Sequence, residues 1–304
     1  MIRQYSIDTI PQVLWNSAAA ANTSYGPFLT YQWHRTWYDV FGIKESSWIL
    51  SIDESHIAPF IKHGSTLSFS GGREIADYLD IIGPEDKKID AWGEIYAYCK
   101  QQNLTTVKLH NIPESSQTIQ YFSHHRVEDT TPILALPLTW DTYLASLSRH
   151  SRHELRRKMK RCKLNYPKLT TVTSTNPYAD LRDFFDLMAL DEQKSIFLTP
   201  SMRDFFLKLP HAFPNELVLQ FLYIGNTRAA GILFFIMNNT LYLYNSGFDK
   251  EHYPLASFYL KVTSIQYAIA KGISVYNFLQ GSEQYKYDLG GKDFLVYAIE
   301  ESLT

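Results

Sequence analysis

Cysteine is scarce in this chain: Cys99 and Cys162 are its two cysteines, and neither stands in a metal-ligand spacing. That argues against a disulfide-stapled framework or a cysteine-held zinc, and it fits a reducing compartment. No strand–GxGxxG–helix order, no GxSxG and no HxxxH occurs, so dinucleotide-binding, serine-hydrolase and metallopeptidase readings gain no support. Long apolar runs are missing too. The longest, Ala229 to Met237, is strand length and contains Gly231, well short of the roughly 18 residues of a membrane span. Met1 to Ser6 lacks the apolar core of a signal peptide, so a cytoplasmic protein with no membrane span is expected. Charge of one sign is absent overall, with a net charge of −2. Any attraction to a polyanion must therefore come from a local patch.

What is present is a folded, aromatic-rich chain of 304 residues, 45% hydrophobic and 20% charged. This length suits two cores better than one. The expected division is a first lobe over 1–138 and a second over 139–304, the second holding the candidate site.

In the first half, Gln4 to Thr9 reads as a strand and Pro11 can start a helix. After a loop over 22–27, Tyr31 to Phe41 reads as a helix with Trp33, Trp37 and Phe41 on one face. Strand-like segments follow at 48–52 and 56–69, then a helix over 85–101, a strand over 106–110 and a short helix over 115–122. In the second half one long helix is expected from Trp140 to about Lys163, a strand over 169–174, and helices over 178–190 and 199–209. A strand-turn-strand region then spans Leu217 to Asp249. An amphipathic helix over 255–270, a strand over 275–279 and a last strand over 293–300 complete the chain. Each half places helices first and then strands around a helix, which predicts two similar lobes built on mixed twisted sheets.

Three stretches could carry chemistry. From Ser148 to Lys163 eight Lys or Arg surround the apolar stripe of Leu155 and Met159, with Glu154 as the single acid. Such a face is either solvated, with scattered partners, or built for an anion. The turn from Gly247 to Ser257 leads from a strand into a helix, whose first N–H groups and dipole favour an anion. The third stretch is Gly281-Ser282-Glu283-Gln284-Tyr285-Lys286. A tyrosine can protonate a departing thiolate, a glutamate can take a proton from an amine, and a lysine can hold a phosphate or carboxylate. Each also has an ordinary structural use.

Several landmarks occur together in order. They are the early helix Phe28-Leu29-Thr30-Tyr31-Gln32-Trp33-His34-Arg35-Thr36-Trp37, the "DY.D" segment Ala76-Asp77-Tyr78-Leu79-Asp80, and the "R.elRRk.R" helix containing Arg152-His153-Glu154-Leu155-Arg156-Arg157. Gly225 to Gly231, Tyr244 to Asp249 and Gly281 to Lys286 follow. In these the chain resembles the GNAT-type acetyltransferases of the CelD/BcsL group, tandem GNAT-like proteins related to the FemABX peptidyltransferases. One departure stands at Pro254-Leu255-Ala256-Ser257, where relatives carry a serine-proline-glycine type turn; a glycine there lets backbone and phosphate come close.

The resemblance implies an α/β fold of two tandem GNAT-like (acyl-CoA N-acyltransferase) lobes and an acyl-CoA-dependent acyltransferase. Acetyl-CoA or another acyl-CoA would be the donor, with no metal. The acceptor would be a small molecule or glycan, its amine or hydroxyl attacking the thioester directly. In that reading Gly247 and Phe248 polarise the thioester, and Leu255, Ala256, Ser257 and Phe258 receive the pyrophosphate. Tyr285 is the general acid and Glu283 the base. Arg152, Arg156 and Lys286 position anionic parts of donor or acceptor. Two alternatives stay open: a FemABX-like transferase using aminoacyl-tRNA, and a non-catalytic, polyanion-binding GNAT pair.

Overall fold

The computed structural model describes residues 1–21, 25–42 and 46–303. The first three residues of the loop expected over 22–27 lie outside the described residues. The chain forms two compact units, Met1–Thr131 with the C-terminal segment from Phe294, and Pro132–Asp293.

The first unit contains β1 (Ile2–Tyr5), α1 (Gln12–Ala20), α2 (Tyr31–Val40), β2 (Ser47–Ile52), β3 (His56–His63), β4 (Thr66–Phe69), α3 (Lys88–Gln101), β5 (Thr106–Pro113), α4 (Thr118–Tyr121) and β6 (His125–Thr130). Helix α2 starts where the Thr30 side chain accepts from Trp33 N, a side-chain cap of the usual kind. The "DY.D" segment is structural. The Tyr78 hydroxyl donates to Thr131 Oγ1 at 2.6 Å, and the buried Asp80 accepts from Ser116, Thr118 and the ammonium of Lys88. Lys88 is itself fully buried, so the pair survives because neighbouring hydroxyls complete its hydrogen bonding.

The second unit contains β7 (Ile133–Ala135), α5 (Trp140–Ser146), α6 (Arg149–Asn165), β8 (Leu169–Thr173), α7 (Pro177–Ala189), α8 (Glu192–Phe197), α9 (Pro200–Ala212), β9 (Leu217–Ile224), β10 (Thr227–Met237), β11 (Thr240–Phe248), α10 (Ala256–Ala270), β12 (Val275–Asn277) and α11 (Gln284–Asp288). The long basic helix expected from Trp140 is two helices. Leu147 is extended, and the Ser148 side chain accepts from Ser151 N, which starts α6 afresh. The region from Leu217 to Asp249 holds three antiparallel strands.

The final strand is β13 (Leu295–Ser302), and here the expected lobe boundaries change. It inserts between β5 and β6, giving the first sheet the order β1-β2-β3-β4-β5-β13-β6. Correspondingly β7, expected in the first lobe, pairs with β12 in the second sheet, of order β7-β12-β11-β10-β9-β8. Each sheet thus has four antiparallel strands, a parallel step (β4 to β5, β11 to β12) and an antiparallel neighbour beyond it. In the first sheet that neighbour comes from the chain's far end, which no local pattern announces. The helix between the parallel strands is α3 in one unit and α10 in the other, as a crossover requires.

Candidate functional site

The parallel pair β11–β12 is joined over three residues: Thr240 with Val275, Leu241 with Tyr276 and Tyr242 with Asn277. Beyond that point β11 runs on to Phe248 while β12 stops. The cause is local. Asn277 Oδ1 accepts from Leu279 N at 2.9 Å, Leu279 takes φ +59°, and Gly281 takes φ +110°, bending the chain out of the sheet. A notch opens along the edge of β11.

Register decides which groups face it. Asp249 N donates to Ala229 O at 3.0 Å, and antiparallel pairs alternate, so Gly247 opposite Gly231 is again a hydrogen-bonded pair. Ser246 and Phe248 therefore turn their N–H and C=O away from β10, toward the notch. The Ser246 groups are taken, its N–H by Asn245 Oδ1 at 2.9 Å and its carbonyl by the Lys194 ammonium. Of the two residues expected to polarise a thioester, Phe248 thus faces the notch and Gly247 faces β10. Gly247 has a packing reason instead: a Cβ there would strike the backbone of Leu187 and Met188 in α7.

Helix α10 begins one short loop after β11. Ala256 N is bonded to Tyr253 O, whereas the N–H groups of Ser257 and Phe258 find no acceptor among the described residues. Leu255 provides no side-chain cap. Ala256 is fully buried and Ser257 nearly so, so the missing glycine leaves no methyl standing outward at Ala256. A cation is also at hand: Lys158 of α6 lies over the Phe258 ring, its Nζ 4.8 Å from the centroid. Two open N–H groups, a helix dipole and this ammonium suit a phosphate.

On the other wall, Tyr285 packs edge-on against Phe278, with ring centroids 6.3 Å apart. Burial, then the Glu283 charge, push its phenol well above the usual tyrosine range, so it keeps its proton at neutral pH. Lys286 is buried, and its ammonium donates to the carbonyls of Leu279 (2.9 Å), Gln280 (2.6 Å) and Gly281 (3.0 Å) and pairs with Glu283 Oε2 at 2.9 Å. It clamps the turn that ends β12, which differs from the anion-positioning part expected of it. For Glu283, burial works upward, but the Lys286 hydrogen bond and charge outweigh it and hold the carboxyl below the usual range. A carboxylate so held is a weak proton acceptor.

Two residues missed in the sequence complete this cluster. Lys261, in α10, is 8% exposed, and its Nζ lies 4.0 Å from the Tyr285 ring centroid. Burial foremost, then the charges of Lys194 and Lys286 against an opposing Glu283, lower it to about 7. Lys194, half-buried in α8, is lowered by burial against the opposing pull of Asp191 and Glu283. A charged residue inside the apolar run Leu260-Lys261-Val262 was the available signal for the first; nothing in the short, exposed α8 marked the second.

The arginines of α6 line surface depressions. Arg152 and Arg156 join Arg149, His150 and His153 around an open depression of about 640 Å³. Arg156 also borders a neighbouring one of about 390 Å³ with Trp140, Met159 and Gln266. Arg157 is engaged by Glu154, 2.6 Å away. The structure therefore brings Phe248, Ser257, Phe258, Tyr285, Glu283 and Lys286 to the notch and α10, and lines the basic depression of α6 with Arg152 and Arg156. Among the described residues no group of three or more His, Cys, Asp or Glu could hold a metal ion, and no helix is long and apolar enough to cross a membrane.

Residues 149–287 match the family described as acetyltransferase (GNAT) domain. No match was found among curated protein sequences. Among solved structures, the chain is similar to FemX, with a TM-score of 0.65, 12% identity and coverage of 97% of this chain and 96% of that one. It is also similar to L-PGS from Bacillus licheniformis, with a TM-score of 0.61, 14% identity and coverage of 93% and 90%. A tandem GNAT protein from the clavulanic acid biosynthesis pathway gives 0.53, 12% identity and coverage of 100% and 98%. At these identities the likeness speaks for the fold. The chain has a tandem GNAT-like α/β fold, and its second unit carries the match to the acetyltransferase (GNAT) domain.

Proposed function

We propose that this protein is an acyl-CoA-dependent acyltransferase whose second unit transfers an acyl group, acetyl above all, to an amine or hydroxyl of a sugar, amino acid or peptide. The observation that carries this reading is the three-residue β11–β12 ladder that opens directly beside the unsatisfied N-terminus of α10. An extended donor entering the notch would lay its pyrophosphate on the N–H groups of Ser257 and Phe258, near Lys158, and its thioester oxygen at Phe248 N–H. The acceptor nucleophile attacks the thioester carbon and the C–S bond breaks. The nucleophile's proton leaves to solvent or a base, and the thiolate takes one from Tyr285. Glu283 is the weaker part of this scheme, since Lys286 already holds it.

One observation favours a second reading. Lys286 occupies the carbonyls of residues 279–281, leaving that wall few groups for the amides of a pantetheine arm. An aminoacyl-tRNA donor, its phosphates on the basic face around Arg152 and Arg156, needs no such arm.

A thermal-shift series separates the two. Acetyl-CoA or a longer acyl-CoA should raise Tm by several degrees at saturation, and tRNA should not. No shift and no calorimetric heat with any acyl-CoA, on folded protein, overturns the donor assignment; a shift with tRNA alone moves it to the second reading.

A further inference from the structure

Resting on the transferase reading of this same notch, we propose that its acceptor carries a carboxylate, held by the Lys261 ammonium with Lys194 as the flanking cation. The first observation is an incomplete hydrogen-bonding account. Lys261 is more than nine-tenths buried, yet among the described residues its ammonium has no hydrogen-bond acceptor; its contact is the face of Tyr285. The ammonium is not among the fully enclosed polar atoms that lack a partner, so it keeps a path to solvent along which a ligand can reach it. The same chain shows the contrast in Lys88, which is fully buried and is paired with Asp80 and Glu85.

The second observation is charge balance. The groups acting on Lys261 are Lys194 of α8, Lys286 of α11 and Glu283 just before α11, with the Tyr285 ring stacked over it. Glu283 is the single acid and is bonded to Lys286. Lys194 is committed to Ser246 O and Lys286 to three carbonyls. One cation is left to bind something, which calls for a monoanion. The doubly charged phosphate suits the α10 N-terminus instead, where two N–H groups stand open. Lys194, whose charge acts on Lys261, donates to Ser246 O on the open edge of β11, so a carboxylate beside these two lysines would lie toward that edge, where the acyl carbon would lie in the proposed reaction.

This arrangement has a thermodynamic signature. With its pKa near 7, Lys261 is largely neutral at pH 8. A bound carboxylate favours the protonated form, so binding must draw a proton from the buffer. The probes are N-acetylglycine, its amide N-acetylglycinamide, and inorganic phosphate, titrated calorimetrically at pH 8 into the full-length protein in two buffers of different ionisation enthalpy. N-acetylglycine should bind with uptake of roughly 0.5 to 1 proton, and the amide should bind at least about ten-fold more weakly. Lys261→Met should abolish the uptake and most of the binding without lowering Tm. Lys261→Arg, which keeps the charge but cannot titrate, should bind without uptake, so the assignment does not rest on one variant.

Equal binding of acid and amide, binding without proton uptake in the wild type, or no binding of N-acetylglycine overturns the inference. Phosphate binding with the same uptake, lost in Lys261→Met, overturns the carboxylate class. Acyl-CoA titrated into the same preparation keeps the two readings apart. Acyl-CoA binding without carboxylate binding sinks this inference alone; the reverse sinks the donor assignment and leaves the carboxylate site standing.

Discussion

The Lys286 ammonium sits 2.9 Å from Glu283 Oε2 and at the same time gathers the carbonyls of Leu279, Gln280 and Gly281. A residue at the mouth of the notch is thus the fastener of the turn that creates it. Lys286→Met keeps the aliphatic stem and removes the charge, leaving carbonyls with no donor. The expected loss is about 2–4 kcal/mol of stability, with the stretch 277–283 losing hydrogen-exchange protection first. Denaturant unfolding would check this. A variant as stable as the wild type, with impaired binding, would return Lys286 to the anion-positioning part.

Much of this architecture is readable in the sequence, for physical reasons that differ between elements. Helix α10 is legible to within a residue of its start because its apolar periodicity is long and Pro254 precedes it. Strands β10 and β11 show up as apolar runs separated by Asn238-Asn239, which adopt positive φ. Strand β6 has no clear sequence signal because its first half, His125-Arg126-Val127, is exposed and its second half carries Glu128 and Asp129. The insertion of β13 between β5 and β6 has no local signature, since the same residues could pair with other strands. For the site, residue types at 283–286 signalled chemistry. That Lys286 turns inward and Lys261 lies under Tyr285 depends on tertiary packing, which spacing alone does not encode.

The basic face of α6 presents Arg152 and Arg156 on an open depression with Arg149, His150 and His153. Reversing both to Glu should weaken binding of an extended polyanionic ligand by about ten-fold or more at low salt and flatten its salt dependence. Little stability should be lost, because Leu155 and Cys162 carry the buried side of the helix. Affinities measured across a salt series test it; identical curves for both proteins would make the face a solvated surface.

His34 makes the first unit acid-sensitive. It is buried, its Nδ1 lies 2.8 Å from Ser70 Oγ, and burial lowers it to about 3, against a smaller raising influence of the Phe28 backbone. Because the folded value is below the unfolded one, the unfolded chain binds the proton first. The contribution is fully present above about pH 6.5 and is lost as pH falls toward 3, at up to about 1.4 kcal/mol per pH unit. His56 is shifted in the same direction by burial and adds to the slope. Denaturant unfolding at pH 7, 6 and 5 should therefore show falling stability above the carboxylate range. His34→Gln should flatten the profile, and an unchanged slope would assign the effect elsewhere.

Tyr285 carries the remaining test of the proposed chemistry. Tyr285→Phe retains the ring that covers Lys261 and meets Phe278, so packing is kept and only the hydroxyl is lost. If that hydroxyl protonates the departing thiolate, turnover should fall by about 10²-fold with acyl-CoA affinity nearly unchanged. Steady-state kinetics with an acceptor that supports transfer would measure the split between kcat and KM. The raised phenol pKa makes Tyr285 a reluctant donor, so the outcome is informative in both directions. Wild-type turnover in the phenylalanine variant would remove Tyr285 from the proton path. The next group to test as the acid would then be the Lys261 ammonium, 4.0 Å from the centroid of the same ring and lowered to about 7.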